Sequence, residues 1–197
     1  VTGLPGAGKS TLLAAAGAEL EFTVISRDVI RAAMFPGPAC HTAEETRLAF
    51  EAMVAAAASR LRRGARVALD GCCFAHRWQR RNARELADAT GATLVAVHLE
   101  LRVEEAARRI AAGQPHPAND RDAALVARVA GHLAAPEPED LVIDASRPAS
   151  EVWAVLRDRL EATAAIRRAG RSEPPGPRST ASPETTAGPP PAGTIDT

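Results

Sequence analysis

The stretch of the chain most able to do chemistry is Gly3-Leu4-Pro5-Gly6-Ala7-Gly8-Lys9-Ser10-Thr11, which fits the pattern G-x-x-x-x-G-K-[ST]. Glycine tolerates the backbone angles that let a tight loop turn successive N–H groups inward, and a concave row of N–H groups binds phosphate oxygens. A helix opening where the loop ends adds its positive terminus. In this pattern Lys9 reaches the β- and γ-phosphates of ATP, and the Ser10 hydroxyl holds Mg²⁺. The nine residues from Gly3 to Thr11 are therefore the expected nucleotide cradle. Lys9 stands out for a second reason: 23 of the 24 basic residues are arginine, and Lys9 is the one lysine. A compact ammonium on a thin stem fits a narrow phosphate cradle that a broad, planar guanidinium does not.

Two acidic positions complete the chemistry expected of such a loop. Asp70 ends the apolar run Val67-Ala68-Leu69 and is a candidate partner for the metal through coordinated water. The alternative for Asp70 is a turn residue at a strand end, before Gly71. Asp28 lies in Ile25-Ser26-Arg27-Asp28-Val29-Ile30-Arg31, about twenty residues beyond the loop. The segment carries an Asp-x-x-Arg spacing, Asp28 to Arg31, at the start of a short helix. Arg31, one helical turn on, would face the same cleft and pair with a phosphate or carboxylate of the substrate. The alternative here is that Asp28 caps a short helix with Arg31 solvated upon it.

Together, Gly3 to Thr11 and Ile25 to Arg31 resemble the P-loop kinases related to polynucleotide 5′-hydroxyl kinase, a group that includes the zeta-toxin and adenylylsulfate kinase relatives and overlaps the AAA family ATPases. The resemblance covers roughly residues 1–145. It implies an α/β, three-layer α/β/α P-loop NTPase fold with a parallel sheet of about five strands and a small helical lid. It also implies transfer of the ATP γ-phosphoryl group to a substrate hydroxyl with Mg²⁺, with Asp28 beside the acceptor as general base or orienting group, since a hydroxyl is a poor nucleophile until a carboxylate orients it and takes its proton. Such kinases usually bring two lid arginines about four residues apart onto the transferring group. Here Arg108 and Arg109 are adjacent, and Ala112 and Gly113 stand four residues on. Arg109 is the candidate, with Arg121 or Arg128 as substitutes for the second charge. Two other functions stay open: a regulatory or switch NTPase with little transfer activity, and a repair kinase acting on 5′-hydroxyl ends of nucleic acid.

The elements that must position these residues follow from periodicity and breakers. Helices are expected over 10–20, from Asp28 to the breaker Phe35-Pro36-Gly37-Pro38, over 42–63 behind a Thr42/Glu45 capping box, and over 76–89, 103–112, 120–133 and 149–168. Strands are expected at 22–25, 66–70, 93–99 and 141–143. Only Val1-Thr2 precede the loop, so the first strand is expected to lack its opening residues. Alternating strands and helices imply βαβ crossovers, a parallel sheet, and an active site at the carboxyl ends of its strands.

The helix after Asp70 carries Arg77, Arg80, Arg81 and Arg84 on one face. This stripe is either a seat for a polyanion such as a nucleic-acid backbone or an ordinary solvated face. Trp78 beside it reads as packing, and His98 as a satisfied strand residue. Zero formal net charge gives no bulk attraction to nucleic acid or anionic membranes. No apolar run approaches a membrane span, and nothing reads as a signal peptide. Cys40, Cys72 and Cys73 suit neither a metal site nor a disulfide framework, so free thiols in the cytoplasm are expected. The kinase domain is expected over 1–169. Beyond it, seven of the fifteen prolines fall in 170–197 among Ser, Thr and Gly, a composition that cannot offset its ordering entropy and is expected to be disordered.

Overall fold

Five short strands alternate with helices along the chain, and every strand pairing is parallel. The structure, a computed structural model, describes residues 1–37, 42–113 and 122–171. In order, the elements are β1 (Thr2–Gly3), α1 (Lys9–Leu20), β2 (Thr23–Ser26), α2 (Arg27–Met34), α3 (Ala43–Arg62), β3 (Val67–Asp70), α4 (Arg77–Thr90), β4 (Val97–Glu100), α5 (Val103–Ala111), α6 (Ala123–Ala130), β5 (Leu141–Asp144) and α7 (Ala149–Arg171). Residues 1–162 form one compact unit, and the end of α7 belongs to a second. The hydrogen-bonded ladders run in the orders β1-β4-β5 and β2-β3. With helices on both faces this is the expected three-layer α/β fold.

Helix ends are set by local chemistry. Thr42 accepts a hydrogen bond from the Glu45 N–H at 3.1 Å, and α3 carries Glu44 and Glu45 in its first turn and Arg60 and Arg62 in its last. Charges of those signs oppose the helix macrodipole favourably at each end. Ser26 caps α2 by accepting from the Val29 N–H, so the strand ends one residue before the Asp28 segment turns helical. Asp122 caps α6, accepting from the Leu125 N–H at 2.7 Å.

Three apolar clusters hold the layers. Leu12 and Ala16 of α1 pack with Val97 and Leu99 of β4, Ile143 of β5, and Val152, Trp153 and Leu156 of α7. Phe50, Met53 and Ala57 of α3 cover Ile25 of β2, with Cys72 and Phe74 beyond β3. A smaller cluster joins Leu4 of the glycine-rich loop to Ala106 of α5 and Val126 of α6.

Some expectations need correction. The strand expected over 93–99 begins only at Val97, because β5 offers a partner only from Leu141, which pairs with Val97. The helix expected over 120–133 is Ala123–Ala130 among the described residues, shortened by the Asp122 cap and ended at Gly131. Cys40, Arg121 and the tail from residue 172 lie outside the described residues. No described helix is long and apolar enough to cross a membrane.

Candidate active site

Strand β1 ends at Gly3, and the loop from Leu4 to Gly8 delivers the chain into α1. Gly6 and Gly8 have φ of 85° and 86°, the left-handed region that side chains rarely adopt. Their surroundings differ. A Cβ on Gly6 would lie 2.7 Å from the Ala106 carbonyl oxygen and 3.3 Å from Ile110 Cγ1, whereas one on Gly8 would meet nothing within 4 Å. The loop is thus seated on α5 at Gly6 and open at Gly8, the side from which a phosphate would be received. Pro5 and Ala7 are buried beneath it, while Gly8, Ser10 and Thr11 face outward.

The Lys9 side chain folds back into the loop. Its Nζ donates to the carbonyl oxygens of Gly3 at 3.0 Å and Leu4 at 2.8 Å, and lies 3.7 Å from Cys73 Sγ. The ammonium is therefore already inside the cradle. Ser10 Oγ donates to Asp70 Oδ1 at 3.1 Å, joining the loop to the end of β3. One hydroxyl beside one carboxylate at an open loop suits a hydrated divalent cation that takes its remaining ligands from phosphate and water. Among the described residues no cluster of three His, Cys, Asp or Glu exists, and this donor set does not need one.

The Asp28 segment comes to the same end of the strands. Ser26 pairs with Asp70 in the β2–β3 register. A Cβ on Gly71 would approach the Asp28 backbone nitrogen to 2.6 Å, so glycine allows α2 to begin against the end of β3. Asp28 and Arg31 are both buried, at 7% and 4% exposure, which replaces the alternative of a solvated Arg31. Arg27 Nη2 donates to Asp28 Oδ1 at 2.8 Å. The buried Nε atoms of Arg27 and Arg31 have no hydrogen-bond partner. A buried guanidinium donor left unpaired costs free energy that an anion bound there would recover.

On α5, Arg109 Nε donates to Glu105 Oε1 at 2.9 Å, and Arg108 donates to Glu105 Oε2 through Nε at 2.9 Å and Nη2 at 2.6 Å. Hydrogen bonds from Arg108 and then Arg109 hold the Glu105 carboxyl below its ordinary range. The Glu105 brace and the Cys73 contact with Lys9 were not expected from the sequence. Helical spacing of three and four residues could have suggested the first; nothing local signals the second.

The arginine stripe on α4 divides: Arg77 and Arg81 are exposed, as a solvated face requires, whereas Arg80 and Arg84 turn to protein partners. Arg80 is 5% exposed and pairs with buried Asp140, while its Nη1 donates to the Ala135 carbonyl at 2.9 Å. Arg84 pairs with Glu137 and with Glu139. Arg80 and Arg84 thus clamp α4 to the segment before β5, so the four arginines do not form one continuous free stripe, and Arg80 is not solvated. Trp78 packs edge-on against Phe50, with ring centroids 4.8 Å apart. His98 Nδ1 lies 2.9 Å from Thr2 Oγ1, and burial lowers its pKa. Cys72 and Cys73 are free thiols, and burial raises the pKa of Cys72.

A parallel α/β sheet, a glycine-rich loop running into a helix, an inward lysine and a serine–aspartate pair define a P-loop nucleotide-binding domain. Within that class the chain belongs to the AAA domain family, whose sequence profile matches residues 1–138. Solved structures share the fold. A gluconokinase from Sinorhizobium meliloti 1021 is 22% identical with a TM-score of 0.63, covering 87% of this chain and 95% of its own. A sugar kinase from Janibacter sp. HTCC2649 is 21% identical with a TM-score of 0.64, covering 81% and 91%. The APS kinase of Mycobacterium tuberculosis, solved with AMPPNP and APS, is 19% identical with a TM-score of 0.59, covering 81% and 94%. No curated protein sequence matches this one significantly.

Proposed function

We propose that the protein is an ATP- and Mg²⁺-dependent kinase that phosphorylates a hydroxyl on an acceptor carrying an anionic group. The observation that carries this reading is the burial of Asp28 and Arg31 together on the first turns of α2. Both side chains are buried and Arg31 Nε has no hydrogen-bond partner, on a helix whose backbone at Asp28 abuts Gly71, the residue after the Asp70 that Ser10 touches. A nucleotide switch has no use for such a pair; an acceptor site does. That similarly folded proteins include a gluconokinase and an APS kinase agrees with it.

Bound ATP with Mg²⁺ would supply the transferable phosphoryl group and neutralise part of its charge. Lys9 exchanges the Gly3 and Leu4 carbonyls for phosphate oxygens, and the loop amides hold the rest. Ser10 and Asp70 hold the hydrated cation. Asp28, steadied at Oδ1 by Arg27, accepts the acceptor's hydroxyl proton through its other oxygen. Arg31 holds the acceptor's phosphate or carboxylate and so fixes which hydroxyl points inward. Arg109 faces the charge that spreads over the transferring group. The kinase domain over 1–169 is the unit to which this assignment applies.

The test is transfer from γ-labelled ATP to a panel of sugars, sugar acids, nucleosides, adenylylsulfate and 5′-hydroxyl oligonucleotides. Asp28→Ala should lose about 10²–10⁴-fold in transfer with ATP affinity retained, while Lys9→Ala should lose nucleotide binding. Transfer by Asp28→Ala at the wild-type rate would remove the acceptor role. Binding of ATP with no acceptor labelled would favour the switch function.

A further inference from the structure

We infer that Glu105 is a positioning residue that sets Arg109 against the transferring phosphoryl group, an inference that rests on the kinase reading above. Helix α5 cannot rotate freely relative to the nucleotide loop. Its Ala106–Ile110 stripe lies on Gly6, close enough that even a methyl group there would collide with the Ala106 carbonyl at 2.7 Å. Ala106 is fully buried and packs with Leu4 of the loop and Val126 of α6. Glu105 and Arg109 form the neighbouring stripe, about 100° around the same helix. Arg109 therefore stands on the stripe next to the one that seats the loop, and the remaining freedom is that of a long, rotamer-rich side chain.

Glu105 removes that freedom. Its Oε1 accepts from Arg109 Nε alone, which directs the edge carrying the two terminal nitrogens away from Glu105. Its Oε2 is held by Arg108 through two nitrogens, which restrains the carboxylate from the outer side. The exposures follow the same order: side chains of Glu105, Arg109 and Arg108 are 25%, 33% and 75% exposed. Arg108 is the outer brace, Glu105 the most covered member and the pivot, and Arg109 the partly covered member held on the pivot's other oxygen. An isolated surface ion pair contributes little to stability; a pivot gripped on both oxygens acts instead on the aim of the guanidinium. Misplacement by about 1 Å can cost roughly 10²-fold in rate.

The experiment uses the full chain, with Glu105→Gln, Glu105→Ala, Arg109→Ala and the double variant Glu105→Ala/Arg109→Ala. It reads kcat and KM for ATP on the labelled acceptor, and calorimetric affinity for AMPPNP and for ADP with fluoroaluminate, a mimic of the transferring group. Glu105→Ala should lower kcat about 10–100-fold with KM for ATP within about twofold. It should weaken ADP–fluoroaluminate binding in proportion and leave AMPPNP binding unchanged. Glu105→Gln, which retains one acceptor oxygen, should fall between it and wild type. Arg109→Ala should lose about 10³-fold, and the double variant should be no worse, because the pivot acts only through Arg109. A wild-type kcat in Glu105→Ala, an effect on KM alone, or additivity in the double variant would overturn the role of Glu105 while leaving the kinase reading intact. Wild-type protein that labels no acceptor and binds ADP–fluoroaluminate no better than ADP would overturn both.

Discussion

Gly6 and Gly8 form a matched pair within one loop, and their alanine variants should separate backbone strain from contact. Both residues sit at nearly the same positive φ, 85° and 86°. Adding a Cβ therefore imposes a similar conformational cost on each, about 1–2 kcal/mol. Only at Gly6 does the new atom strike a backbone, 2.7 Å from the Ala106 carbonyl oxygen, with Ile110 Cγ1 at 3.3 Å. Relief requires α5 to back away from the loop, and overpacking of this kind costs about a further 1–3 kcal/mol. Gly6→Ala should thus be the less stable by about 2 kcal/mol, roughly 4–8 °C in Tm for a domain of this size. Nucleotide affinity should not follow stability. The open side of Gly8 is where a phosphate would sit, so Gly8→Ala should lose ATP binding despite its milder destabilisation. Urea and thermal unfolding of the nucleotide-free proteins, with titration of a fluorescent ATP analogue, measure both quantities. Equal stability of the two variants would refute the seating of α5 on Gly6. Full ATP affinity in Gly8→Ala would refute the assignment of its open side to phosphate.

Asp140→Ala should destabilise the protein by about 3–5 kcal/mol, because it strands the buried Arg80 guanidinium in a site built for a pair; a shift in the urea midpoint near zero would show that water reaches Arg80. Iodoacetamide near neutral pH should label half-exposed Cys73 before buried Cys72, and saturating ATP should slow the reaction, since Cys73 touches the lysine that phosphate would engage. Burial raises the Cys72 pKa, and only the thiolate reacts, so Cys72 should stay protected to a higher pH than an ordinary thiol. Peptide mass spectrometry of the labelled protein reads both effects, and early labelling of Cys72 or indifference of Cys73 to ATP would contradict them.

What could be read from the chain alone was whatever depends on short separations. The loop is a run of nine residues, so its motif carries its own geometry. The spacing of Asp28 and Arg31 put both on one turn of helix, and Asp70 closed an apolar run. The structure adds that Asp28 and Arg31 are buried and that β2 and β3 bring the Asp28 segment and Asp70 to one end. The arginine stripe on α4 failed for the opposite reason. Periodicity could place Arg80 and Arg84 on one face, but their partners Ala135, Glu137, Glu139 and Asp140 are more than fifty residues away, and no local signal names them. Strand β4 was drawn too long because apolar content at 93–96 does not reveal where its neighbour starts. Cys73 meets Lys9 only because β3 ends beside the loop, a fact of topology rather than of composition.

Leu4 occupies a position that the loop pattern leaves unspecified, yet its side chain belongs to the same buried cluster as residues of α5 and α6. Chimeras that graft another protein's α5–α6 onto this chain would therefore inherit a mismatch at residue 4, although no part of the phosphate cradle had been exchanged. The smallest transplantable lid is not the contiguous segment after β4: it includes one residue from the opening of the chain, a hundred positions upstream.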